Sequence, residues 1–225
     1  MATVSGTVIF DLDGTLADTS GDLIAAANAC FRELGAGDLL DPVIDAATAF
    51  AGGRAMLRLG LSRIGQVNEG DIDRYFSLFL GYYEAHIDVH TLLYPGAMGA
   101  VYQLKSAGYK VGICTNKPEG LAELLMRRLG VRGDFASLIG ADTLPTRKPD
   151  PEPLFEAVRR AGGDPAQCCL IGDTVTDRET ARAAGVPSVL VTFGPDGHGV
   201  ADLDPEALLH NYADLTEIVQ GLIGR

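Results

Sequence analysis

Apolar and polar positions change rhythm twice along this chain. Val8, Ile9 and Phe10 form a short continuous apolar run that gives way to Asp11 and Asp13. That pattern fits a strand buried on both faces and ending in polar side chains. Between residues 20 and 85 apolar side chains recur at three- and four-residue intervals, with Gly, Asp and Asn at the breaks. The spacing predicts helices over 22–34, 42–50, 53–64 and 71–85, with no strand between them. From Tyr94 onward short apolar runs alternate with helical stretches. Helices are expected at 97–107, 119–129, 151–161 and 178–184, strands at 110–116, 137–140, 168–172 and 188–192, and a helical tail after them. Strands separated by helices of this length indicate βαβ units and a parallel sheet. The α/β core is therefore expected over 1–17 and 89–225, interrupted at 18–88 by an all-helical insertion. An insertion directly after the first strand emerges at the carboxyl edge of the sheet, where open α/β sheets bind ligands.

Composition narrows the classes of function. No run of about 18 apolar residues exists, which argues against a membrane span, and the start MATVSGTVIF has no signal-peptide character. A cytoplasmic protein is expected. Cys30, Cys114, Cys168 and Cys169 show no CxxC pairing, and three of them lie in strand-like runs as small buried side chains. His86 and His90 are spaced i, i+4 without an HExxH pattern or a third ligand, which disfavours zinc. A net charge of −12 argues against nucleic acid and anionic membranes as partners. It also means that an anionic ligand needs a local cation.

Four of the expected strands end in polar residues. The first delivers Asp11, Asp13, Gly14 and Thr15; the second Thr115 and Asn116, then Lys117 and Pro118. Asn116 and Pro118 read as the start of a helix, whose free N–H groups beside a hydroxyl form an anion site. Lys148 lies in a loop stiffened by prolines at 145, 149, 151 and 153, and CLIGDTVTD presents Asp173 and Asp177. Residues i and i+2 of a strand share a face about 6.5 Å apart. Two carboxylates at that separation repel by roughly 2.5 kcal/mol at an effective dielectric near 20. A cation between them relieves this, and Mg²⁺ takes one or two carboxylates together with phosphate oxygens. An EF-hand is the competing reading of DxDG, but its glycine belongs at loop position 6 and its glutamate at position 12. Gly14 falls too early for that, and Asp22 stands where the glutamate should be.

DLDGT at 11–15, TN at 115–116, Lys148 followed by proline, and GDTVTD at 172–177 together resemble the haloacid-dehalogenase superfamily of phosphohydrolases. The resemblance spans essentially the whole chain. It implies a Rossmann-like parallel-sheet core with an inserted helical-bundle cap, and Mg²⁺ as cofactor. Residue by residue, it implies Asp11 as nucleophile and metal ligand. Asp13 would be the general acid and then base, with its carbonyl on the metal. Thr115, Asn116 and Gly14 would hold the phosphate, Lys148 would neutralise charge, Asp173 would complete the metal site, and Asp177 would support it.

TNKPEG, YPGA at 94–97 and AGGRAMLRLGL at 51–61 look most like the phosphoglycolate phosphatase branch. The substrate implied is a small phosphorylated metabolite, foremost 2-phosphoglycolate. Arg54 is the cap candidate for a substrate carboxylate, through its bidentate fork, while Lys117 reads rather as a surface lysine. Asp13 favours phosphate over carbon–halogen chemistry, and no lysine precedes Lys105, which closes the Schiff-base route of phosphonate-cleaving relatives. A phosphomutase of the β-phosphoglucomutase type, or a phosphatase of another sugar phosphate, stays open, as do monomer and homodimer.

Overall fold

The computed structural model describes residues 6–224; residues 1–5, expected as part of the core, lie outside the described residues. Two compact units emerge, one joining the chain up to Ala17 with Leu93 onward, the other running from Asp18 to Leu92.

The first unit is built on a six-stranded sheet with the spatial order β5-β4-β1-β6-β7-β8. The strands are β1 (Thr7–Phe10), β4 (Lys110–Cys114), β5 (Ser137–Ile139), β6 (Cys168–Gly172), β7 (Ser188–Val191) and β8 (Ala207–Leu209). Every adjacent pair is parallel. Helices α5 (Ala97–Ser106), α6 (Glu119–Arg128), α7 (Glu152–Arg160), α8 (Val175–Ala184) and α9 (Leu215–Ile223) connect or follow them. From β1 the chain first builds outward through β4 to β5, then returns to the other side of β1 with β6. This reversal makes the carboxyl ends of β1, β4 and β6 the topological switch point, where such sheets form their crevice. Val8, Ile9 and Phe10 are fully buried, as a strand covered on both faces requires. One side of the sheet packs Ile9, Cys114, Ile139 and Leu170 on Leu154, Ala157 and Val158 of α7 and Ala181 of α8. Each large aliphatic side chain so buried contributes about 1.5–3 kcal/mol.

The second unit contains α1 (Ser20–Glu33), α2 (Ala46–Phe50), α3 (Gly53–Arg63) and α4 (Glu69–Ala85). Its core comes from Leu23, Ile24, Ala27 and Phe31 of α1, Met56, Leu57 and Leu61 of α3, and Ile72, Phe79 and Tyr83 of α4. Gly60 is the contact residue of α3, because a β-carbon there would overlap the buried ring of Phe31. Two-residue strands β2 (Ala17–Asp18) and β3 (Leu92–Leu93) mark the passages of the chain between the units and pair with each other.

Three expectations need correction. The helix read from residue 42 begins only at Ala46, because the Asp41 carboxylate accepts the Val43 and Ile44 amides and holds a turn there. The tail is not all helical: Ala207–Leu209 pairs in parallel with β7 as the sixth strand. The eighth helix opens at Val175 rather than Arg178, capped by Thr174. Among the described residues no helix is long and apolar enough to cross a membrane.

Candidate active site

Register alignment brings the polar strand ends together. Phe10 lies opposite Ile113 of β4 and Ile171 of β6, so the residues after it emerge beside Thr115 and Asp173. The Asp11 amide donates to the Ile171 carbonyl at 2.8 Å, and the Thr115 amide to Ile139 at 2.9 Å. These bonds carry the sheet's order one residue past its strands. Gly14 then turns the chain with φ +80°; a side chain there would overlap Asp173 Oδ2.

Asp11, Asp173 and Asp177 place carboxylate oxygens within 4.8 Å of one another, and all three residues are buried. Lys148 is the counter-charge, with its side chain only 2% exposed. Its ammonium bonds Asp177 Oδ1 at 2.6 Å and lies 3.0 Å from Asp11 Oδ1, the latter without the alignment of a hydrogen bond. Asp177 Oδ2 accepts from the Thr174 hydroxyl at 2.8 Å and from the Asp173 and Thr174 amides at 3.3 and 3.2 Å. One aspartate thus caps α8 and grips the lysine. Thr15 Oγ1 donates to Asp173 Oδ1 at 2.8 Å, while Asp173 Oδ2 is buried with no hydrogen-bond partner among the described residues.

Burial and crowding leave their mark on the acids. Desolvation, helped by Asp177 and Asp13 and opposed by Lys148, raises the Asp11 carboxyl to about 6. Burial, followed by Asp177 and Asp11, lifts Asp173 well above the carboxylate range. Burial works to lower the Lys148 pKa, but Asp11 and Asp177 outweigh it and hold the ammonium well above its ordinary value. These are acids that lack enough positive charge nearby. The orphaned Asp173 oxygen and the three-carboxylate cluster fit a hard divalent cation, which takes oxygen ligands and reverses those shifts.

Asp13 turns to a different partner. Lys117, which the sequence pattern assigned to the surface, has a side chain 4% exposed and an ammonium 2.9 Å from Asp13 Oδ1. Four carboxylates and two ammoniums now meet at one sheet edge, a formal charge of −2 that one divalent cation would neutralise. Thr115 is buried, and its hydroxyl accepts from the Lys117 amide at 3.2 Å. Asn116 is not the cap of α6, whose N-cap is Pro118. Its side-chain amide instead donates to the Lys148 carbonyl at 3.0 Å, pinning the lysine loop to the second strand end. The Glu119 amide donates to Asp142 Oδ1 at 2.7 Å, so an acidic side chain already holds one N–H of the expected anion site. Arg54, in the other unit, is half-exposed; it pairs with Asp73 and its guanidinium lies 4.5 Å from the Phe76 ring centre.

Sequence pattern missed Lys117, Thr15 as the donor to Asp173, and Tyr212, whose buried hydroxyl donates to the Thr15 carbonyl at 2.7 Å. Lys117 carried a usable signal, since it directly follows a strand end that carries site residues.

A parallel sheet with β1 at its switch point, an acidic strand end and a helical insertion after it define a class, and residues 6–185 match the haloacid dehalogenase-like hydrolases. The chain belongs to this family of hydrolases. It is 38% identical over 220 residues to a phosphoglycolate phosphatase of Mesorhizobium japonicum (strain LMG 29417 / CECT 9101 / MAFF 303099), covering 96% of each chain. To a phosphoglycolate phosphatase of Agrobacterium fabrum (strain C58 / ATCC 33970) it is 35% identical over 216 residues, covering 95% of this chain and 91% of the relative. A solved structure described as a predicted phosphoglycolate phosphatase from Haemophilus somnus 129pt superposes with a TM-score of 0.84 at 24% identity. That superposition covers 98% of this chain and 100% of the other, and supports the fold.

Proposed function

We propose that this protein is an Mg²⁺-dependent phosphomonoesterase acting on a small phosphorylated metabolite, 2-phosphoglycolate first among them, through an aspartyl-phosphate on Asp11. The observation that carries the reading is the meeting of Asp11, Asp173, Asp177 and Lys148 in one buried cluster with an unpartnered Asp173 oxygen. The names of the relatives at 35–38% identity support the substrate.

Asp11, Asp173 and Asp177 would hold the cation, which when bound supplies positive charge to a phosphoryl oxygen and to the nucleophile. An Asp11 carboxylate oxygen attacks phosphorus; the bond from phosphorus to the ester oxygen breaks, and Asp13 gives that oxygen a proton. Water then attacks the phosphorus, the bond to Asp11 breaks, and Asp13 takes the proton of the water. Lys148 balances the charge on Asp11 and the phosphoryl group, and Thr115, Asn116 and Gly14 hold phosphoryl oxygens. Phosphoryl transfer asks chiefly for alignment and charge compensation; the strand ends supply the alignment, and Lys148 begins the charge compensation that the bound cation would complete. Four free, buried cysteines fit a reducing cytoplasm.

The test is phosphate release from a panel comprising 2-phosphoglycolate, sugar phosphates, nucleotides and phosphoserine, with Mg²⁺ and with EDTA. Mg²⁺-dependent preference for 2-phosphoglycolate is the expected result. Preference for a sugar phosphate overturns the substrate. Isomerisation of a sugar phosphate in the presence of its bisphosphate, with little phosphate release, overturns the hydrolase reading in favour of a mutase.

A further inference from the structure

The family match ends at residue 185, yet a later side chain reaches the loop that carries the acidic pair. Tyr212 begins a short turn between β8 and α9 that Asn211 caps, its side chain accepting the Ala213 amide at 2.9 Å. The phenol is almost fully buried and donates to the Thr15 carbonyl at 2.7 Å. Its ring packs on Phe193 at 5.3 Å between centres, and Phe193 on Tyr94 at 5.0 Å. The Tyr94 amide donates to the next carbonyl of the same loop, that of Leu16, at 3.0 Å. Two consecutive carbonyls are therefore held from outside the loop. On its other side Gly194 packs so closely that a β-carbon there would stand 2.9 Å from the Gly14 carbonyl and 3.0 Å from Asp173 Cβ.

The side chain of the same Thr15 donates to Asp173 Oδ1 at 2.8 Å, leaving Oδ2 buried beside Gly14 and without a hydrogen-bond partner among the described residues. Fixing the Thr15 backbone thus fixes the direction from which its hydroxyl meets Asp173, and with it the face that the carboxylate turns to a cation. We propose that Tyr212 is a positioning residue for the metal site, acting through Thr15 on Asp173. The proposal rests on reading Asp11, Asp173 and Asp177 as a cation site. Groups that hold the ligands in place tune a metal's affinity alongside the ligands themselves.

Mg²⁺ or Mn²⁺ is titrated alone, without substrate, into the full chain and followed by calorimetry and by the rise in melting temperature. Tyr212→Phe keeps the ring and its packing. Its dissociation constant is expected to rise roughly tenfold, the lower part of the range for outer partners of a metal site, with a smaller ion-induced rise in melting temperature. Tyr109→Phe is the control: it deletes a buried phenol hydroxyl that makes no hydrogen bond among the described residues, and ion binding should not change. Thr15→Val should weaken binding as well, and the double variant with Tyr212→Phe should be no weaker than Thr15→Val alone. Unchanged binding in Tyr212→Phe, equal loss in Tyr109→Phe, or multiplying losses in the double variant each overturn the proposal. A wild-type chain that binds neither ion overturns the cation-site reading itself.

Discussion

Asp11 and Asp13 stand two positions apart and meet different partners: Asp11 faces Lys148, and Asp13 faces Lys117. Two acids with separate counter-charges suit two roles, nucleophile and proton carrier. Lys117 holds the second acid, so Lys117→Met should lower turnover of an alkyl phosphate by about tenfold or more, a fraction of what general acid–base catalysis supplies. Turnover of 2,4-dinitrophenyl phosphate, whose leaving group needs no proton, should fall much less; equal losses on both would refute the assignment. Asp11, Asp13, Thr115, Lys148, Asp173 and Asp177 were legible in the sequence because each follows an apolar run or stands in a proline-stiffened loop. Lys117 was not, because a lysine is buried only when an acid waits for it, and Asp13 comes from a distant part of the chain. Tyr212 was hidden for the same reason: nothing near residue 212 announces the carbonyl of Thr15.

At the scale of elements, three- and four-residue spacing marked the four helices of the inserted unit, and apolar runs marked β1, β4, β6 and β7. Elements made by distant contacts escaped notice. β8 is three residues long and exists through its pairing with β7, while α2 is shortened by the carboxylate of Asp41. Asp45, next to that turn, ties α2 to α3: Arg63 donates to both of its oxygens, at 2.6 and 2.8 Å. The Arg63 hydrogen bonds hold the Asp45 carboxyl below its ordinary value. A depressed carboxylate contributes stability above its unfolded pKa, near 3.9, and loses it as pH falls through the folded value. Asp45→Asn should therefore lower the urea midpoint at pH 7, with the gap to wild type closing below about pH 4. A gap that stays constant through that range would show that Asp45 acts through shape instead of charge.

For the molecule as a whole, the order of strands locates the site, since the reversal at β1 gathers three strand ends. The same gathering leaves an uncompensated acidic interior. Asp11, raised to about 6, holds its proton in the folded chain at pH values where an unfolded aspartate has released it. The folded state binds more protons between those two values, so metal-free stability should fall as pH rises from about 4 to 7. Thermal melts in EDTA should show that decline in wild type, a flatter profile in Asp11→Asn, and its loss on adding Mg²⁺. Parallel profiles for the two proteins would remove Asp11 as the source.

The most direct measurement is the steady-state rate of phosphate release from 2-phosphoglycolate by wild type and Asp11→Asn, each with Mg²⁺ and with EDTA. Burial of Asp11 between Lys148 and two further carboxylates predicts turnover in only one of the four conditions, wild type with Mg²⁺, and a folded but inactive variant. Turnover by Asp11→Asn close to that of wild type would contradict the aspartyl-phosphate route, and turnover undiminished in EDTA would contradict the cation.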